Sequence, residues 1–247
     1  TSGIDDAWPV VCEPFKQWVI EDDFIAGRPA WETVGAQFVD DVVPFELMKL
    51  SLLNAGHSVL GILGDLMGYA TIDESVHNQE INKFLTNYMN IEVTPTLSGL
   101  EGVNLNDYKK SLLQRFGNIY IKDQIDRICS ESSAKFPIFI LPTVNKQLER
   151  KGSVEFASFV VAAWAIYSLG KNENGQPLLI KDAMKAILNE KAVTATKSPE
   201  AFLEIASIFG ELKNSETFVS AYTKAYKNIV KYGVEKCITD INNSIIK

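Results

Sequence analysis

Apolar residues run almost all the way round the stretch between Pro44 and Gly68: Leu47, Met48, Leu50, Leu52, Leu53, Val59, Leu60, Ile62, Leu63, Leu66 and Met67. A helix apolar on every side lies inside a protein or inside a membrane. About 25 residues could just cross a bilayer. Glu46, Lys49, Asn54, His57 and Asp65 interrupt the run, however, so the pattern predicts a buried core helix. Pro44 suits its first turn, and Asp40 and Asp41 place favourable charge before it. Residues 154–169 repeat the all-round apolar character and predict a second buried helix ending at Gly170.

Elsewhere the periodicity is amphipathic. Ile81, Phe84, Leu85, Tyr88 and Met89 mark one helical face. Asn106 is placed to cap a helix carrying Leu112, Leu113 and Phe116 inward. Ile121, Ile125 and Ile128 form a further stripe, and short helices are expected at 142–150 and 182–190. Ser198-Pro199 is a start signal for a helix to about Phe209. Residues 216–246 read as one long or broken terminal helix, with Gly233 the weak point. Upstream the pattern differs: residues 9–20, broken by Pro14, and 37–43 read as short strands. Trp8, Trp18 and Trp31 could form a small satellite core there. The expected fold is mainly α with a short β-containing lead-in, divided into residues 1–40 and 41–247.

Composition narrows the partners. A net charge of −7 argues against nucleic acid or an anionic membrane. Cys12, Cys129 and Cys237 are odd in number and widely spread, which suggests reduced thiols and a cytoplasmic setting. No signal peptide is read ahead of the first structured segment.

The polar interruptions of the central helix carry the candidate chemistry. At about 100° per residue, Lys49, Glu46, His57 and Asn54 fall within an arc of roughly 140°. Gly61, Gly64 and Gly68 continue that stripe, where another backbone or a ligand could come close. A buried lysine tends to lose its proton and can then act as a general base. Asn54 and His57 could hold an oxygen whose charge changes during reaction. From spacing alone a structural network is an equal alternative, with Lys49 paired to Glu46 and His57 a satisfied core histidine. No G-x-G-x-x-G, G-x-S-x-G, P-loop or C-x-x-C motif occurs, and with His57 and His77 the only histidines no metal site is expected.

Lys49, Asn54 and His57 stand as K-x4-N-x2-H within PFELMK-x-x-LLNAGHS. That segment resembles the catalytic signature of the polyol-specific long-chain dehydrogenases, the mannitol 2-dehydrogenase and fructuronate reductase family. The likeness extends to WPVVCEPFKQWVIEDDF, GRPAWETVGAQFVDDV, TPTL, YKKSLLQRFGN, ICSESSAKFP and AAWAIY, covering most of residues 8–180. It implies a helical domain like the C-terminal domain of 6-phosphogluconate dehydrogenase-like enzymes, with residues 1–40 as interdomain material. It also implies NAD-dependent interconversion of D-mannitol and D-fructose, with Lys49 as general acid/base and Glu46 passing its proton towards water. Arg127 and Lys135, read alone as a surface charge and a loop lysine, match family residues that reach the far hydroxyls of an open-chain polyol. Arg115 and Asn118 are expected to be structural. Ser51 stands where many relatives carry arginine. The family's Rossmann domain, which binds NAD, is not recognisable in this chain, so no cofactor-binding residue and no metal ligand are assigned. Alone, the chain is expected to be inactive. A fructuronate reductase and a non-catalytic helical interaction module are the alternatives.

Overall fold

The central apolar run folds as one continuous helical rod with an irregularity in its middle. Helix α1 (Val43–Lys49) leads into a π-helical turn, Leu50–Asn54, and then into α2 (Ala55–Leu66). Two-thirds of the rod's most apolar window is buried inside the protein, as a core helix requires. The structure, a computed structural model, describes Gly3 and residues 5–8 and 12–245. Residues 9–11 of the expected first strand and Ile246 of the terminal helix lie outside the described residues.

Two units make up the chain, residues 1–46 and 47–247. In the first, strands β1 (Trp18–Glu21) and β2 (Ala36–Val39) form a parallel pair, Trp18 opposite Ala36. A 3-10 turn at Trp31–Val34 sits in the connection and ends at Gly35, φ +94°. Trp18 stacks on Trp31 at 5.2 Å, while Phe24 meets both Trp31 and Phe38 edge-on. Trp8 is 88% exposed and takes no part, so the expected satellite core is smaller than the three tryptophans suggested. Asp41 Oδ1 accepts the Val43 N–H at 2.9 Å, an acidic cap at the start of α1.

The second unit is helical. After α2 come α3 (Ile72–His77), α4 (Gln79–Asn87), α5 (Leu105–Phe116), α6 (Ile125–Cys129), α7 (Ser132–Phe139), α8 (Leu141–Glu149) and α9 (Glu155–Tyr167). Then follow α10 (Lys185–Ala195), α11 (Ala206–Phe209), α12 (Glu216–Tyr232) and α13 (Val234–Ser244). Helix α2 is the axis, packed against α3, α4, α6, α7 and α9. The second apolar run is α9, itself covered by α12. Phe84 of α4 inserts its ring between Phe156 and Phe159, at 5.0 and 5.2 Å. Trp164 stacks on Phe136 and donates from Nε1 to Ser132 Oγ at 2.9 Å. The buried Glu92 carboxylate accepts the Phe156 and Ala157 N–H groups, both at 2.8 Å, and so satisfies the first turn of α9 from a distant segment.

Local chemistry moves several expected boundaries. Asn104, not Asn106, caps α5, its Oδ1 accepting from Asn106 and Asp107 N–H. Ile121 lies in the turn before α6, so the expected isoleucine stripe shortens to Ile125 and Ile128. The segment after Ser198 is a 3-10 run, Pro199–Glu204, followed by the single turn α11. Gly233, φ +84°, separates α12 from α13. The glycine stripe also divides. Gly61 and Gly64 face α6 and α3, where a Cβ on Gly64 would lie 1.9 Å from Ser75 Oγ. Gly68 lies beyond the end of α2 with φ +86°, a position suited to glycine.

Candidate active site

The π-helical turn decides how the candidate residues line up. The Ala55 N–H reaches back to Leu50 C=O, so the turn holds one residue more than an α-helical one. At constant helical pitch, Lys49, Asn54 and His57 spread over about 140°; removing one residue's rotation between Lys49 and Asn54 brings them within about 60°. The three side chains therefore share a narrower face than the sequence wheel gave. Single π turns recur at functional sites for this reason: they re-aim side chains without breaking the helix.

Exposure corrects one expectation. Lys49 is exposed in this chain, as is Glu46, whereas Asn54 and His57 are half-buried. Lys49 follows the fully buried Met48 and points away from the core that α2 organises. Asn54 makes no side-chain hydrogen bond among the described residues, so its amide is available.

His57 sits in a defined cage. Phe116 of α5 meets its ring edge-on with centroids 4.8 Å apart. Gly56 lets Phe116 approach, since a Cβ there would stand 3.0 Å from the Phe116 ring. Asp123 Oδ2 lies 3.8 Å from His57 Nε2. Burial, chiefly, pushes the imidazole pKa down to about 4; Asp123 opposes this, and Arg127, Arg115 and Lys135 add to it. His57 is therefore neutral at physiological pH.

The two cations expected to reach a substrate both lie in His57's electrostatic surroundings. Arg127 of α6 is 69% exposed and donates from Nε to Asp123 Oδ1 at 3.0 Å. Lys135 of α7 is half-buried and donates to the Ile128 carbonyl at 2.8 Å; burial lowers its pKa. Asp123 is the residue that sequence reasoning passed over. Its spacing to Arg127 reads as an ordinary surface i,i+4 pair, and its nearness to His57 arises only from the fold. Arg115 was expected to be structural and proves to act electrostatically on His57 as well.

Further along the stripe, Asp65 is buried with Oδ2 unpartnered. Burial first, then Asp126, raises its pKa to about 6. A cavity of about 520 Å³ lies elsewhere, between α9, α12 and α13, and none of the candidate residues lines it. His77 is exposed, its Nδ1 2.6 Å from the Asp73 carbonyl. Among the described residues no group of three or more His, Cys, Asp or Glu is placed to hold a metal ion. Nor do the glycines of the central helix fit a dinucleotide: Gly56, Gly61 and Gly64 are buried and pack against Phe116, Cys129 and Ser75.

Comparison with known proteins places the fold in a family. Residues 41–230 match the mannitol dehydrogenase C-terminal domain model. A mannitol 2-dehydrogenase of Aspergillus niger is 41% identical over 242 residues, 96% of this chain and 50% of that protein. A mannitol dehydrogenase of Saccharomyces cerevisiae is 41% identical over 247 residues, 99% of this chain and 49% of its own length. The structure of Pseudomonas fluorescens mannitol 2-dehydrogenase in ternary complex with NAD and D-mannitol superposes with a TM-score of 0.88 at 42% identity, covering 97% of this chain and 49% of that one. A substrate-free D-sorbitol dehydrogenase gives a TM-score of 0.85 at 32% identity over 96% of this chain and 49% of its own. The chain thus spans about half the length of the curated relatives it matches.

Proposed function

Since the chain belongs to the mannitol dehydrogenase C-terminal domain family, we propose that it is the substrate-binding and catalytic half of an NAD-dependent polyol dehydrogenase interconverting D-mannitol and D-fructose. The observation that carries this reading is the face shared by Lys49, Asn54 and His57 across the π turn. A base and an amide donor for the reacting oxygen, with a neutral imidazole beside them to hold the substrate, suit oxidation of a secondary alcohol.

Lys49, deprotonated, takes the hydroxyl proton of the carbon being oxidised, and in ketose reduction returns it. Asn54 donates its amide N–H to the same oxygen as negative charge develops there. His57 holds the substrate beside them. Glu46, three residues before Lys49 on α1, passes the proton to water. Arg127 and Lys135 meet hydroxyls further along the polyol, a fitting use for side chains that only donate. NAD, held in this reading by the family's Rossmann domain, would supply the hydride acceptor.

The test is NADH formation from D-mannitol by the chain joined to its native upstream half. Lys49→Ala should abolish turnover, and Asn54→Ala should lower kcat by about 10²–10³. An Asn54→Ala enzyme with normal turnover would remove that residue from the mechanism. Oxidation of D-mannonate in place of D-mannitol would move the assignment to the hexuronate branch, and silence on both would favour a helical interaction module.

A further inference from the structure

We infer that Asp123 is a positioning residue: its carboxylate sets His57 in the tautomer protonated on Nε2, leaving Nδ1 to accept a hydrogen bond from a substrate hydroxyl. The substrate half of this inference rests on the dehydrogenase reading; the tautomer half does not.

Asp123 is fixed at both levels. Its carbonyl accepts the Ile72 N–H at 3.0 Å, and the Ile125 N–H returns to the Ala70 carbonyl at 3.0 Å. Gln124 pairs antiparallel with Thr71, so the segment is pinned to the start of α3. Lys122, φ +51°, turns the chain immediately before it. Arg127 Nε engages Oδ1 at 3.0 Å, and Oδ2 is left facing His57 Nε2 at 3.8 Å. The ring cannot easily turn away, because Phe116 presses against it.

A neutral imidazole carries one N–H. With the proton on Nδ1, the Nε2 lone pair would face a carboxylate oxygen, and like would meet like. With the proton on Nε2, a donor faces an acceptor. The other charged groups around the ring, Arg115, Arg127 and Lys135, are all cations and disfavour the imidazolium. Burial first, and these cations after it, suppress a second proton, and Asp123 decides where the single one sits.

Nδ1 is then an acceptor only. The oxygen being oxidised gives its proton to Lys49 and has none left to share. His57 therefore serves a hydroxyl that keeps its proton, the one on a neighbouring carbon of the polyol. A site that hydrogen-bonds a substrate hydroxyl rejects the analogue lacking it by as much as ~10⁴-fold.

The molecule supplies its own reference. His77 Nδ1 lies against a carbonyl, which only accepts, so His77 carries its proton on Nδ1. The chain has 2 histidines, and they are assigned opposite tautomers. Histidine-selective ¹⁵N labelling of the protein at neutral pH, read through long-range ¹H–¹⁵N correlations, distinguishes the two forms directly. The expected spectrum shows one Nε2–H ring and one Nδ1–H ring, with the second removed by His77→Gln. Asp123→Asn should shift the His57 ring towards a mixture of tautomers, and Asp123→Glu should restore it. A wild-type His57 protonated on Nδ1 overturns the inference whether or not the variants fold. So does a His57 spectrum unchanged in folded Asp123→Asn. These readouts need no turnover, so a failed dehydrogenase assay and a failed tautomer assignment are separate results.

Discussion

Lys49 carries the central assignment and is exposed to water in this chain. The sequence pattern placed it correctly on a helix with Asn54 and His57, but read it as buried because apolar neighbours surround it on both sides. Hydrophobic periodicity reports whether a helix is buried, not which surface does the burying. Asp123 was illegible for a related reason: a carboxylate four residues from an arginine satisfies a local explanation, and nothing in the local pattern points to a distant imidazole. Asp65 offers a residue-scale prediction in stability. Its folded pKa is raised to about 6 from an ordinary 3.8 by burial, so the folded state keeps a proton that the unfolded state has already lost. Stability contributed by this group is present below about pH 4 and falls as pH rises to 6. Asp65→Asn should accordingly leave thermal stability at pH 4 nearly unchanged and raise it at pH 8, by at most about 3 kcal/mol. A Tm difference independent of pH would contradict this.

At the scale of the element, amphipathic helices were readable because their period survives any tertiary context. Helix ends were not, since capping depends on which of two nearby asparagines reaches the free N–H groups. The π turn was invisible to a wheel of constant pitch, and it matters most. Inserting one alanine after Leu53 would add one residue's rotation, about 100°, between Lys49 and the Asn54–His57 pair. Such a variant, joined to its upstream half, should keep its helical circular dichroism and lose at least ~10³-fold in kcat, the cost of a displaced catalytic group. Retained turnover would show that the turn does not aim the face. The α2–α3 contact gives a second prediction. Gly64→Ala drives a methyl into Ser75 Oγ and against the Ile125 side chain, and should destabilise by about 1–3 kcal/mol. Adding Ser75→Ala should recover part of that loss in chemical denaturation, because the two positions share one contact.

For the whole molecule, the mainly α class and the position of the β-containing segment followed from the change of period near residue 40. The strand pairing did not, because two short strands give no register signal of their own. Their parallel arrangement has a consequence for the behaviour of the chain in solution. Among the described residues, β1 and β2 have no other strand partner, so each leaves one backbone edge open. Trp18 is 53% exposed beside them. Two strands are too few to be stable by themselves, and an open edge with aromatic surface nucleates intermolecular pairing. The chain alone should therefore scatter light increasingly with protein concentration, and fusing the upstream half should abolish that trend. Colloidal behaviour, rather than any assay of chemistry, would then be the first sign that this sheet is unfinished.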